Sequence, residues 1–344
     1  MNKRAFIYIT NKCNQHCLHC YRDSKASDND ELSIEAFENL VKELKIMGFT
    51  NINIDGGEPF LRDDLLDLID IIKSHDITPT VVSNASMHTE ESLKQLRGHL
   101  THLNFSLDSS QSTPHDTLRQ INGSFDRTIL SIRTALSLNF NVKVWSTITR
   151  LNIANDAEHI PALLDSLGPN DVNLFVFYVF SEIGRGFKNK NALAPSQEEW
   201  QHFLSKAETL SKQYPWVMYE PGIIPRDTQN SYPYYSGCNA HTRSRCFIDA
   251  NGDVSFCSLL FRTKHILGNI HRQSFAEIWN HSPVWESPFY QYNTVSVPCH
   301  TCQDELFCKG GCVAHSVSQG TMYGNDTRCT PSQIPLCSHY FHSD

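Results

Sequence analysis

The chain has 344 residues, 40% hydrophobic and 19% charged, an ordinary globular composition with room for two cores; disordered and fibrous classes are excluded. Its 29 Lys and Arg stand against 37 Asp and Glu, and the net charge of −8 repels a phosphate backbone, which argues against nucleic acid as a partner. The longest apolar run, 174–180, falls far short of the ~20 residues of a membrane span, and nothing before Cys13 resembles an export signal. The expected setting is therefore the cytoplasm, with no membrane contact.

In chain order, short β-rich runs alternate with amphipathic helical ones. Strands are predicted at 5–10, 51–54, 78–82, 103–107, 142–149 and 172–179. Helices are predicted at 33–47, 62–75, 90–97, 124–138, 155–167 and 196–212; in the first, Phe37, Leu40, Val41 and Leu44 fall at helical spacing. Six βα units in series imply an α/β fold with a parallel sheet wound in one direction, as an open or partial barrel. The stretch 214–237, rich in Pro and Tyr, reads as a connection between a first domain at 1–213 and a second at 238–344. The second has short strands, Pro and Gly turns and one clear helix near 274–279. It is too poor in apolar residues for a core of its own and is expected to depend on metal.

The twelve cysteines are placed unevenly: three by residue 20, then none until Cys238. A reducing cytoplasm leaves such thiols to metal instead of disulfides. Cys13, Cys17 and Cys20 form C-x3-C-x2-C in the loop after the first strand. Three thiolates can hold three irons of a 4Fe–4S cube and leave the fourth to a non-protein ligand. Zinc would want a fourth ligand, which His16 or His19 could supply.

Past the second predicted strand lies Gly56-Gly57-Glu58-Pro59, where glycines permit close backbone approach and Glu58 can accept hydrogen bonds from an ammonium. Triplet and Gly-Gly-Glu-Pro together resemble the radical S-adenosylmethionine (SAM) superfamily. That resemblance implies a partial (β/α)6 barrel in which SAM chelates the open iron and Gly56–Pro59 bind its amino group. The later strand ends carry Ser83-Asn84, Ser106-Leu107-Asp108 and Thr147-Ile148-Thr149, polar groups where a parallel sheet presents its ligand. Ser83 and Asn84 join the cofactor-binding set, and the resemblance assigns Ser106 and Asp108 to the ribose side of SAM. His115-Asp116-x-x-Arg119 and Gly123-Ser124-Phe125 also resemble the family and read as positioning structure.

A second cluster reads Cys299-x2-Cys302-x5-Cys308-x3-Cys312, with Cys238, Gly252 and Cys257 before it and Cys329 after. This resembles the SPASM extension of radical SAM enzymes, as do Leu267–Ile270 and Ile278-Trp279. By analogy, Cys238, Cys246, Cys257 and Cys312 would hold one auxiliary cluster, and Cys299, Cys302, Cys308 and Cys329 a second. Three 4Fe–4S clusters then use eleven of the twelve cysteines and leave Cys337. Cys246 lies outside the seven-cysteine pattern, so an open iron in the first auxiliary cluster is the alternative.

The resemblance implies reductive cleavage of SAM to a 5′-deoxyadenosyl radical that takes hydrogen from an inert C–H bond. Auxiliary clusters would accept the substrate electron, and a flavodoxin or ferredoxin would serve as reductant. The expected substrate is a ribosomally made peptide, cross-linked through thioether or carbon–carbon bonds or epimerised; a tetrapyrrole or other cofactor precursor is the alternative. The chain starts close to its first strand, so any leader-peptide recognition module is expected to be a separate protein. Sulfatase-maturating relatives have an Asp after the auxiliary cysteine, where this chain has Ser258. Gly184-Arg185-Gly186 discriminates between none of these substrates, and no catalytic acid or base stands out. A non-catalytic iron–sulfur carrier or zinc scaffold would need neither the Gly56–Pro59 motif nor the polar strand ends.

Overall fold

The computed structural model describes residues 3–25, 30–153, 159–167, 172–220, 243–261, 263–287, 312–318 and 320. Parallel strands β1 (Lys3–Thr10), β2 (Phe49–Gly56), β3 (Thr78–Ser83), β4 (His102–Ser106), β5 (Asn141–Ile148) and β6 (Leu174–Val179) follow the expected series. Two more parallel strands flank them: β7 (Val217–Glu220) pairs with β6, and β8 (Arg245–Ile248) with β1. Short antiparallel strands β9 (Asp253–Ser255) and β10 (Gly268–Asn269) complete a ten-stranded sheet ordered β10-β9-β8-β1-β2-β3-β4-β5-β6-β7. The terminal strands of this order are not paired with each other, so the barrel is open.

Helices α1 (Ile34–Ile46), α2 (Leu65–Ser74), α3 (Glu90–Arg97), α4 (Ser112–Arg119) and α5 (Ser124–Ser137) cross over between successive strands. After β5 come α6 (Arg150–Ile153) and α7 (His159–Asp165), then α8 (Arg185–Lys188), α9 (Lys190–Leu193) and α10 (Gln197–Gln213) after β6. Caps set several starts: Ser33 accepts the Ala36 N–H at α1, and Thr89 with Ser92 forms a capping box at α3. Strand alternation sorts the side chains. Ile7, Ile9, Ile52 and Ile54 pack in the main core with Phe37, Val41 and Leu44 of α1, while Phe6 and Tyr8 join Phe261 in a smaller cluster.

The sheet crosses the boundary that the sequence reading draws at 214–237. Helix α11 (Phe275–His281) packs Phe275 and Trp279 edge-on against Phe49, at 5.8 and 6.1 Å between ring centroids. The described part of the C-terminal region therefore draws its apolar support from the barrel's own core. Among the described residues a further helix, α12 (Val313–Ser318), follows Cys312. Among the described residues no helix is long and apolar enough to cross a membrane.

Candidate active site

The cysteine loop leaves β1 at Thr10 and is held from three sides. Gly57 and Glu58 donate their backbone N–H groups to Thr10 O and Lys12 O, at 2.9 and 2.8 Å. A Cβ on Gly56 would lie 2.5 Å from Thr10 O, and one on Gly57 only 2.0 Å from Lys12 O. These glycines are thus required by the approach of the cysteine loop itself, not only by a ligand. From the far side, buried Arg185 of α8 donates Nε to Cys17 O at 2.9 Å and Nη1 to Ser24 O at 2.7 Å, and its N–H bonds Cys20 O at 2.9 Å. Gly184, at φ 60°, sits where a Cβ would meet Tyr21 O at 2.4 Å. The third tie runs from Leu18 N–H to Leu118 O, 2.8 Å, at the end of α4.

Cys13, Cys17 and Cys20 all line a cavity of about 400 Å³ inside the barrel. Gln15 N–H and Asn84 Nδ2 approach the Cys13 sulfur at 3.5 and 3.9 Å, and Arg119 Nη1 approaches that of Cys17 at 3.8 Å. Burial pushes the Cys13 thiol up to about 12. Burial also raises Cys17, against the lowering pull of Arg119. His19, inside the triplet, is lowered to about 4 by burial and is neutral at pH 7.

Gly56, Gly57, Glu58, Ser83, Asn84 and Ser106 line the same cavity, as does Thr147. Glu58 is fully buried; its Oε1 accepts from Phe60 N–H and Ser83 Oγ at 3.2 and 3.0 Å, and Oε2 from Asn84 N–H at 2.7 Å. Burial raises its carboxyl to about 7 against these donors. Two residues expected to contact the cofactor, Asp108 and Pro59, sit beside this lining. Asp108 does not line the cavity: its Oδ2 faces Arg119 Nη2 at 2.6 Å and its Oδ1 accepts from Thr147 N–H at 2.9 Å, so it supports residues behind the wall. Pro59 is also absent from the lining and opens the 3-10 turn that places Glu58. Asp116 accepts from Gly123 N–H and Phe125 N–H, at 2.6 and 2.8 Å, and fixes the start of α5.

Much of the remaining lining is aromatic, with Phe6, Tyr8, Tyr21, Trp145, Tyr178 and Phe247, and it includes Cys257, Ser258 and Cys312. Cys246, expected at an auxiliary cluster, is not part of this lining. On β8, Arg245 and Phe247 face the cavity, whereas Cys246 and Ile248 are wholly buried in the main core with Ala5 and Ile7. Period-two alternation therefore turns the Cys246 side chain into the core and away from the cavity, and burial raises its pKa well above the usual value. Cys238, Cys299, Cys302, Cys308, Cys329 and Cys337 lie outside the described residues. Asp55 lines the cavity unforeseen, its carboxyl raised to about 6 by burial; the available signal was an aspartate directly before Gly56-Gly57-Glu58.

The donor set fits an iron–sulfur cluster with SAM: three thiols on one loop, N–H groups aimed at two of the sulfurs, and a buried carboxylate beside them. Among the described residues no trio of Cys, His, Asp and Glu converges closely enough for a single ion. The radical SAM superfamily pattern matches residues 7–166, and an iron–sulfur cluster-binding domain, SPASM, matches 238–303. The chain belongs to the radical SAM superfamily and carries the SPASM extension, so its cofactors are SAM, a SAM-binding 4Fe–4S cluster and auxiliary clusters. It is similar to mycofactocin maturase MftC of Mycolicibacterium smegmatis, 26% identical over 93% of this chain and 81% of that protein. It is also similar to the AdoMet-dependent heme synthase of Methanosarcina barkeri, 24% identical over 88% of each. Among solved structures, Streptococcus suis SuiB bound to its precursor peptide SuiA shares the fold, with a TM-score of 0.76 and 19% identity over 96% of this chain and 76% of that one.

Proposed function

We propose that this radical SAM enzyme is a maturase that removes hydrogen from a C–H bond of a ribosomally made peptide. The supporting observation is the shared cavity, in which the cysteine triplet and Gly56-Gly57-Glu58 meet Cys257 and Cys312. When bound, the cluster and SAM supply a 5′-deoxyadenosyl radical, and auxiliary clusters supply an acceptor for the substrate electron. The chain's own residues do the rest. Cys13, Cys17 and Cys20 hold the first cluster, Cys257 and Cys312 contribute to an auxiliary one, and Glu58 takes the SAM ammonium. Ser83, Asn84 and Ser106 offer further hydrogen bonds, and the aromatic lining excludes water from the reacting carbon. A similar enzyme named a maturase and a like-folded one holding a precursor peptide support a peptide substrate. Ser258, where sulfatase-type relatives carry a basic Asp, points away from that activity. A separate leader-recognition protein and a flavodoxin or ferredoxin reductant complete the proposal.

The test is co-expression with each small open reading frame beside its gene, followed by peptide mass spectrometry. Loss of two hydrogens marks a cross-link; deuterium uptake from heavy water with no other mass change marks epimerisation. Absence of any modified peptide, with turnover of a porphyrin precursor in vitro, replaces this reading with the tetrapyrrole one that the heme synthase relative represents.

A further inference from the structure

Two buried arginines reach the cysteine loop from later helices, Arg119 from α4 and Arg185 from α8, and they differ in what they touch. Arg185 spends its donors on backbone oxygens of Cys17 and Ser24 and on the Asp23 carboxylate, which is a clamp on the loop's path. Arg119, the last residue of α4, instead directs Nη1 at the Cys17 sulfur from 3.8 Å, while Nη2 meets Asp108 Oδ2 at 2.6 Å. Arg119 is only 8% exposed and Asp108 0%. The geometry is fixed on both sides: Leu118 O accepts the Leu18 N–H one residue from Cys17, and Thr147 N–H anchors Asp108 Oδ1. A purely structural ion pair would need no contact with sulfur.

In a site shielded from water, a cation beside a ligand sulfur stabilises the more negative state of an iron–sulfur cluster, because charge and hydrogen bonds to sulfur set its potential. The carboxylate behind the guanidinium opposes this by partial neutralisation. We infer that Arg119 is a positioning residue that tunes the first cluster, its guanidinium easing one-electron reduction through the Cys17 sulfur while Asp108 trims the effect. The inference rests on the assignment of Cys17 to that cluster. In the step concerned, one electron from the flavodoxin- or ferredoxin-type reductant, or from dithionite in vitro, takes the cluster from its 2+ to its 1+ state.

The full chain and its Arg119→Gln, Arg119→Lys and Asp108→Asn variants are reconstituted anaerobically and titrated potentiometrically with EPR detection. The signal altered by adding SAM reports the first cluster, and the auxiliary signals serve as internal references. Arg119→Gln is expected to lower the midpoint by about 59 mV or more, a tenfold smaller reduced-to-oxidised ratio at fixed potential for one electron. Arg119→Lys should stay near the parent, and Asp108→Asn should shift the midpoint upward. Opposite signs from the two halves of one ion pair are not the signature of a packing defect. An unmoved midpoint, shifts of the same sign, or loss of this cluster's iron in all three variants overturns the inference. A SAM-responsive signal surviving in Cys17→Ala instead shows that the cluster assignment itself is wrong.

Discussion

In its proposed role at the SAM ammonium, Glu58 couples cofactor binding to pH. Its carboxyl, raised to about 7 by burial, is half protonated near neutrality, and an ammonium can pair only with the ionised form. SAM binding therefore expels a proton at low pH, and affinity should fall by up to about tenfold per pH unit below 7, levelling off above it. Calorimetry at pH 6 and 8 reads this directly. Glu58→Gln should lose about 1.5–3 kcal/mol of SAM binding at pH 8, together with the pH dependence, at unchanged iron content. Equal affinities at both pH values would remove Glu58 from the ammonium site. Among the cysteines, Cys246→Ala should keep all the iron at a stability cost of about 1 kcal/mol, whereas Cys257→Ala should lose about four irons per chain. The triplet and Gly56-Gly57-Glu58 stand out in the sequence because each is a short local spacing, although the close approach of the cysteine loop to the glycines shows only in the fold. The role of Cys246 depends on which face of β8 it occupies, and the run Arg245-Cys246-Phe247-Ile248 discloses that only once its neighbours in the sheet are known.

At the scale of elements, the interlock of the β2 turn with the cysteine loop dominates. A methyl group on Gly57 cannot fit 2.0 Å from Lys12 O, so Gly57→Ala must displace the loop. The expected cost is about 1–3 kcal/mol, with faster loss of iron from the first cluster during gel filtration. Gly98→Ala serves as the control, since its Cβ would make an ordinary contact at 3.5 Å from Gln95 O. Unaltered melting and iron retention in Gly57→Ala would contradict the interlock. The six expected strands were legible from apolar runs bounded by turn residues. Helix α4 was not, because it opens on the weak helix formers Ser112, Thr113 and Pro114 and His115-Asp116 read only as positioning structure; its stability comes from buried His115, Leu118 and Arg119. Strand β7 was missed because its four residues follow directly on Pro215-Trp216 in a stretch that reads as linker.

Across the whole molecule, Arg22 next to the triplet reaches Asp249 beyond β8, also donating to Asn11 and lying over the Tyr8 ring at 4.1 Å. Both charges are buried, so removing one strands the other: Arg22→Met should cost about 3–5 kcal/mol. Urea unfolding at low and high salt tests this, because a pair shielded from solvent should show little dependence on ionic strength. A change below 1 kcal/mol would demote the pair to a surface-like contact. Nothing local in the sequence announces such a long tie, and the same holds for the β1–β8 ladder.

That ladder bears on how the protein is made. Strand β1 emerges during translation long before β8, and Arg4 to Ile7 wait for Arg245 to Ile248 before their second edge is covered. Until β8 is made, the nascent chain thus presents a strand with one unpaired edge, carrying Ile7 and Ile9, beside the thiols meant for iron, and such edges recruit other chains. Messages cut short before residue 245 should yield polypeptides bound for inclusion bodies or proteolysis. Co-expressed chaperones, more than extra iron, should raise the recovery of intact enzyme.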